Sequence, residues 1–366
     1  MDMIKVGWSV IVLLHGFIHL MGFLKAYNLA SIDQLVLPIS RTSGLIWLGA
    51  FLLFIASVFL YLFQIDWWWI IAAVAVIVSQ ALIVTYWEDA KFGTVANVII
   101  MAGGILGYGH WSFNAMVDRE LDQFWNGVAS EQTEGDGKKI DDLPPVVQKW
   151  LNQSDINNQE AVKLNQKGRL KTTPEGSWML VEADQYVNVD SPEFLWIADV
   201  QMASYIHLAG RDKYKDGKGH MLIKLLSLFP VANAKGAKID QATLVRYLAE
   251  IVWYPRAATK EYIEWEQIEE RKARATIENE GIITSGIFEF NKEGMPVQFE
   301  AERYYSRKEG ATLETWLIDI EPSSYRVFDG MKIPTKASVT WQLDDGEFTW
   351  YLLEITDATY YSDIPQ

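Results

Sequence analysis

Apolar residues dominate four stretches in the first third of the chain, residues 4–24, 44–63, 67–87 and 94–113, and none of them holds an acidic side chain. Each is about 20 residues long, enough at about 1.5 Å per helical residue to span a hydrocarbon layer about 30 Å thick, so the pattern predicts four transmembrane helices within residues 1–117. The pattern then changes. Residues 129–142 are almost all small, polar or charged, and a linker is expected over 118–142.

From residue 143 onward, apolar and polar positions alternate between turn signals. Runs around 162–169, 178–182, 194–198, 205–207, 263–265, 283–290, 297–301, 339–343 and 348–355 predict strands with one buried face. Asp216-Gly217, Asn291 to Gly294 and Asp344-Asp345-Gly346 fall between such runs and suit hairpin turns. Asp141 and Asp142 ahead of Pro144 and Pro145 look like a capped helix start. One longer helix is expected, with Asp240 capping residues 241–253. Its apolar residues Leu244, Val245, Leu248, Ile251 and Val252 recur at helical spacing, and Pro255 stops it. The expected class is α+β: a four-helix transmembrane bundle followed, over 143–366, by a mostly antiparallel β domain, a curved sheet or half-barrel with a few helices.

Charge divides along the same line. Of 32 basic and 47 acidic side chains, only four and six precede residue 119, so nearly all of the net −15 belongs to the part after the bundle. An acidic surface of this kind argues against nucleic acid as a partner. With no cysteine in the chain, disulfides and thiolate chemistry are excluded, while the compartment is left open. Lys25, Arg41 and Lys91 flank one side of the predicted spans, against Lys5 and Arg119 on the other. That majority places the 25–43 and 88–93 loops in the cytoplasm and the β domain outside it. Tryptophan and tyrosine near the span ends, such as Trp8, Trp47, Tyr61 and Trp111, suit head-group depth. No nucleophile elbow, phosphate loop or HExxH occurs, so no catalytic set and no cofactor is assigned.

Several residues are candidates for chemistry. His15 and His19 are one helical turn apart and share a face. With antiparallel spans, Gln80 and Asn97 reach a similar depth, close to the turn that holds Asp89 and Lys91. Such a cluster suits a metal, haem or proton site, and equally a set of hydrogen bonds joining helices. Gly103 and Gly107 admit a neighbouring helix. In the β domain, aromatic residues are abundant. Trp178, Trp196, Trp253 and Trp265, with the pair Arg246 and Glu250 four apart on the predicted helix, form the candidate ligand surface. Filling a core and forming a surface ion pair are the structural alternatives for the same residues.

Four phrases carry a resemblance: LHGFIHLMGF at 14–23, WEDAKFGTVAN at 87–97, LPPVVQKWL at 143–151 and RYLAEIVWYP at 246–255. Together they resemble a family of uncharacterised bacterial membrane proteins whose soluble part is a domain of unknown function. The β domain is also similar to the half-barrels of periplasmic lipoprotein carriers and related envelope-stress sensors. The resemblance implies a protein of the bacterial inner membrane. It would present an extracytoplasmic module for a lipid, a lipoprotein or another apolar envelope ligand. Two rivals stand beside that reading: an intramembrane metal- or haem-binding protein using His15 and His19, and an interaction scaffold.

Overall fold

The computed structural model describes residues 3–130, 137–153, 156 and 159–362. The centre of the expected linker, residues 131–136, lies outside the described residues. The chain divides into two compact units, Met1–Ala115 and Met116–Gln366.

In the first unit, α1 (Met3–Ala26), α2 (Arg41–Leu62) and α3 (Trp68–Thr85) coincide with the first three apolar stretches. By length and composition, these three are able to cross a membrane. Ser40 starts α2 by accepting the Ser43 amide at 3.1 Å, which satisfies one of the free donors of the first turn. After the short α4 (Trp87–Ala90), the fourth stretch falls inside α5 (Gly93–Ser130), a 38-residue helix that is not among the candidate spans. The expectation of four spans is corrected to three. Five glycines between 93 and 109, together with Thr94, Asn97, Tyr108 and His110, dilute the apolar character of that stretch. Gly103 and Gly107 do make room, but for rings: a Cβ there would stand 2.2 Å from the Trp8 indole and 2.3 Å from that of Trp68.

The second unit opens with the end of α5. Residues 118–130, expected to begin the linker, are helix. A turn at Ile140–Asp142 then leads into α6 (Pro145–Leu151). No acidic side chain caps α6. Gln148 from within the helix donates to the Asp141 and Leu143 carbonyls at 3.0 and 2.7 Å.

Strands β1 (Ala161–Leu170), β2 (Met179–Asn188), β3 (Glu193–Ala203), β4 (Ile206–Lys215), β5 (Lys218–Leu225) and β6 (Phe229–Lys235) form an antiparallel meander. The helix α7 (Ala237–Glu250) follows. Then come β7 (Ile263–Glu269), β8 (Lys272–Asn279), β9 (Ile282–Phe290), β10 (Pro296–Tyr305), β11 (Thr312–Ile320), the small pair β12 (Tyr325–Phe328) and β13 (Met331–Pro334), and finally β14 (Lys336–Leu343) and β15 (Gly346–Tyr361). Pairing of β15 with β1 joins the two halves into a 13-stranded sheet, ordered β6-β5-β4-β3-β2-β1-β15-β14-β11-β10-β9-β8-β7.

One helix shows how far that sheet bends. α7 packs on β4, β5 and β6 and also on β8, β9 and β10. In a flat sheet, β5 and β9 would lie roughly 43 Å apart at about 4.8 Å per strand, several times the width of a helix. The sheet therefore curls around α7 as a half-barrel. Leu244, Val245, Tyr247 and Leu248 are fully buried in the core between helix and sheet. α7 begins one turn earlier than expected, at Ala237 after Gly236 with φ 108°, so Asp240 is not its cap. The Asp240 carboxylate instead accepts the Gly219 amide at 2.8 Å and pairs with Lys218 at 3.2 Å, tying the helix to β5.

The end of α5 lies on the outer face of the sheet. Phe124 and Val128 pack with Ala161 and Tyr186. Glu120 meets Arg211 Nε at 2.9 Å and Lys213 Nζ at 2.8 Å, and these odd-numbered β4 residues point away from α7.

Candidate functional site

The concave side of the half-barrel holds charge that α7 brings in. Residues 246 and 250 lie one turn apart, on the flank of α7 that faces β2, β3 and β4. Arg246 donates through Nε to Glu250 (2.8 Å), through one terminal nitrogen to Asp212 (2.8 Å) and through the other to Gln185 (3.3 Å). Gln185 donates to the second Glu250 oxygen at 2.6 Å, Gln166 donates to Gln185 at 2.8 Å, and the Trp196 indole donates to Gln166 at 3.0 Å. The guanidinium lies over the rings of Phe194 and Trp196, at 4.9 and 5.2 Å. This is not a surface ion pair, since the side chains of Arg246 and Glu250 are only 14% and 8% exposed. Burial alone would lower the Arg246 pKa, but Glu250 and Asp212 outweigh it and hold the group above its usual range.

Across the barrel, on β10, Arg303 contrasts with Arg246. Its Nε donates to the Ala242 carbonyl of α7 at 2.9 Å, and its guanidinium stacks over Trp316 at 4.5 Å and Trp341 at 5.7 Å. Among the described residues it makes no ion pair, and its two terminal nitrogens have no acceptor. Desolvation pushes its pKa down to about 10, with Asp212 pulling it back up and Arg246 opposing. Arg303, Trp316, Trp341 and Tyr351 occupy the same inner wall on β10, β11, β14 and β15. Two further donors on that wall, Trp316 Nε1 and the Tyr351 hydroxyl, are buried without a hydrogen-bond partner. Buried donors of this kind carry a free-energy cost that an oxygen-bearing group would relieve.

The sequence-derived residues thus divide. Trp196, Arg246 and Glu250 meet in one network. Trp253 is a core residue whose indole donates to Pro334 at 3.1 Å, and Trp265 packs beside α6 and donates to Ala258 at 2.9 Å. Trp178 is 39% exposed, with Lys171 over its ring. Gln166, Gln185, Asp212 and Arg303 escaped the sequence reading, because each is distant in the chain from the helix it approaches. A shallow groove of about 570 Å³ elsewhere is lined by Lys167, Arg169 and Lys336 and by Asp319, Glu321 and Glu354. Its balanced charge favours no ion.

In the first unit, His15, Gln80 and Asn97 do come together. His15 Nε2 lies 2.9 Å from Asn97 Oδ1 and 3.1 Å from Ser79 Oγ. Asn97 donates to Gln80 at 3.0 Å, and Gln80 to Thr94 at 3.3 Å. His19 donates from Nδ1 to the His15 carbonyl at 2.9 Å, leaving a buried Nε2 without a partner. Asp89 and Lys91 stand apart from the cluster. Asp89 accepts the Leu37 amide at 2.9 Å, and Lys91 lies 5.5 Å from the Phe92 ring centre. Among the described residues, no three His, Cys, Asp or Glu side chains are grouped for a metal.

Residues 141–360 match the model of a family of unknown function, DUF6920, and the chain belongs to that family. No curated protein sequence matches it. Among solved structures, it is similar to a LolA superfamily protein from Nitrosomonas europaea, with 11% identity and a TM-score of 0.36 over 60% of this chain and 93% of that one. A putative outer membrane lipoprotein-sorting protein domain from Vibrio parahaemolyticus gives 10% identity and a TM-score of 0.36, over 62% and 96%. A DUF1329 family protein from Desulfovibrio piger gives 9% and 0.30, over 59% and 91%.

Proposed function

We propose that the protein is a membrane-anchored binding module, held by its apolar N-terminal helices in the bacterial inner membrane, whose extracytoplasmic half-barrel holds an amphiphile: a lipid or the lipid moiety of a lipoprotein. One observation carries this reading. The inner wall is aromatic, yet it gathers two buried donors that no acceptor among the described residues satisfies, Trp316 Nε1 and the Tyr351 hydroxyl, beside the Arg303 guanidinium. An apolar wall with a few convergent donors suits a ligand with a hydrocarbon body and an oxygen-bearing head.

Native mass spectrometry of the intact protein, released from detergent, tests the proposal. Wild type is expected to carry a co-purified lipid, and Arg303→Gln to lose most of it while keeping its far-ultraviolet circular dichroism. A wild type free of lipid, or a variant that retains it equally, overturns the assignment.

A further inference from the structure

Exposed apolar residues are not scattered over the second unit. Of ten large ones among its described residues, seven stand at one end of the β1–β6 meander, around the turns that follow β1, β3 and β5. Leu180 is 57% exposed, Phe229 55% and Val231 57%, with Met202, Tyr205 and Ile206 beside them and Trp178 at the rim. The opposite end of the meander is polar, as the Asp216-Gly217 turn between β4 and β5 illustrates.

The turn chemistry repeats that asymmetry. Asp216 and Gly217 have φ of 50° and 70°, the left-handed pair that a tight hairpin facing water fills with Asp-Gly or Asn-Gly. At the other end, the β5–β6 turn places Leu226 and Ser227 in the same conformation, with φ of 53° and 57°. Leucine is a strained choice there. In the segment LLSLFPV at 225–231, apolar residues occupy positions where water would select polar ones. The apolar track also leads inward. Leu208 and Leu225, paired across β4 and β5 and half-buried, connect Ile206 and Phe229 with the core.

The docked end of α5 shows what lies at this end. Glu120 forms ion pairs with Arg211 and Lys213, and Gly127, seven residues later, lies against Lys215. The helix and β4 therefore run in the same direction, and the chain enters the unit beside the β3–β4 turn, at the apolar end. What precedes it in sequence is the apolar part of α5 and the candidate spans α1 to α3.

We infer that this rim is a membrane-contact surface: the side chains of the β1–β2, β3–β4 and β5–β6 turns enter the head-group region of the bilayer that holds α1 to α3. Tryptophan, tyrosine and long aliphatic residues with a neighbouring lysine are the composition that settles at that depth. Exposed apolar residues gathered at one end otherwise have little reason to face water. The inference rests on the membrane-anchored reading and adds a docked posture, with the apolar track from Ile206 and Phe229 opening toward lipid.

The chain lacks cysteine, so single cysteines can report depth in the full-length protein. Ile206→Cys and Phe229→Cys at the rim, Lys218→Cys at the opposite end and Ile77→Cys in α3 would each carry an environment-sensitive fluorophore, in proteoliposomes with and without brominated phospholipid. Burial of about 5–10 Å into the interface should give the two rim labels and the α3 label at least about twofold quenching, and leave the Lys218 label unquenched. Quenching in α3 but not at the rim overturns the inference and spares the anchoring. Labels unquenched at both places overturn both. Rim labels with apolar emission but no lipid quenching show that the rim meets protein, which also overturns the inference.

Discussion

The two units bury opposite things. In the second, Phe194, Phe288, Phe299 and Leu244 are fully buried and charges ring the outside. In the first, Leu14, Phe17, Ile77 and Val84 are more than half exposed, at 62, 53, 64 and 64%, while His15, His19, Ser57, Ser79 and Asn97 are at 3% or less. On the membrane-anchored reading proposed above, the inversion follows from the solvent. Water drives apolar surface inward, whereas hydrocarbon exerts no such drive, and small or polar residues then hold helices together by close packing and hydrogen bonds. The buried polar groups differ accordingly. The first unit gathers neutral donors and acceptors around His15. The second buries an ion cluster around Arg246 whose charged members are hydrogen-bonded to one another and to Gln185.

The largest effect expected from breaking this contrast is in that ion cluster. Arg246→Ala leaves Glu250 and Asp212 buried without their partner and should lower stability by about 3–5 kcal/mol. Chemical denaturation in detergent, followed by tryptophan emission, measures it, and a loss under about 1 kcal/mol would return the pair to the surface class. A step smaller is Ile77→Asp. If the exposed face of α3 meets hydrocarbon, a carboxylate there costs about 2.5–3.5 kcal/mol of insertion, read as loss of membrane-integrated protein after alkaline extraction. Unchanged integration would mean that this face meets water or protein.

The smallest effect concerns His220, whose Nδ1 accepts from Arg211 at 2.9 Å while Nε2 donates to Asn233 at 2.8 Å. Desolvation lowers its pKa, Asn233 opposes this and Arg211 adds to it. Because the folded value lies below the unfolded value of about 6.5, the folded state resists protonation. Stability is then full above that pH and declines as pH falls through the lowered folded value. His220→Gln should flatten this acid limb by a fraction of a kcal/mol, measured as the change in Tm between pH 7 and pH 5. An unaltered slope assigns the limb to other groups.

Much of the architecture was legible because period and length are local properties. The apolar runs marked α1 to α3, and alternation marked β1 to β4, β7, β9, β10, β14 and β15. The strands that escaped had weaker local patterns. In β8 the inward positions are Ala273, Ala275 and Ile277, too small at two of three places to register as a hydrophobic face. In β5 and β6 the apolar residues cluster at the turn, as LLSLFPV, and do not alternate with polar ones. The candidate site was legible in part. Arg246 and Glu250 were visible as a helical pair, but their burial depended on Asp212, Gln185 and Gln166, supplied by three separate strands.

Composition and periodicity alone determined that this chain joins an apolar helical segment to an acidic, strand-rich one, since each residue's preference for water or hydrocarbon is its own. The sheet's closure through β1 and β15, the placement of α7 inside the curl and the contrast between a paired Arg246 and an unpaired Arg303 were decided by tertiary structure. Those outcomes turn on which groups far apart in the chain exclude water from one another, and no local pattern encodes that.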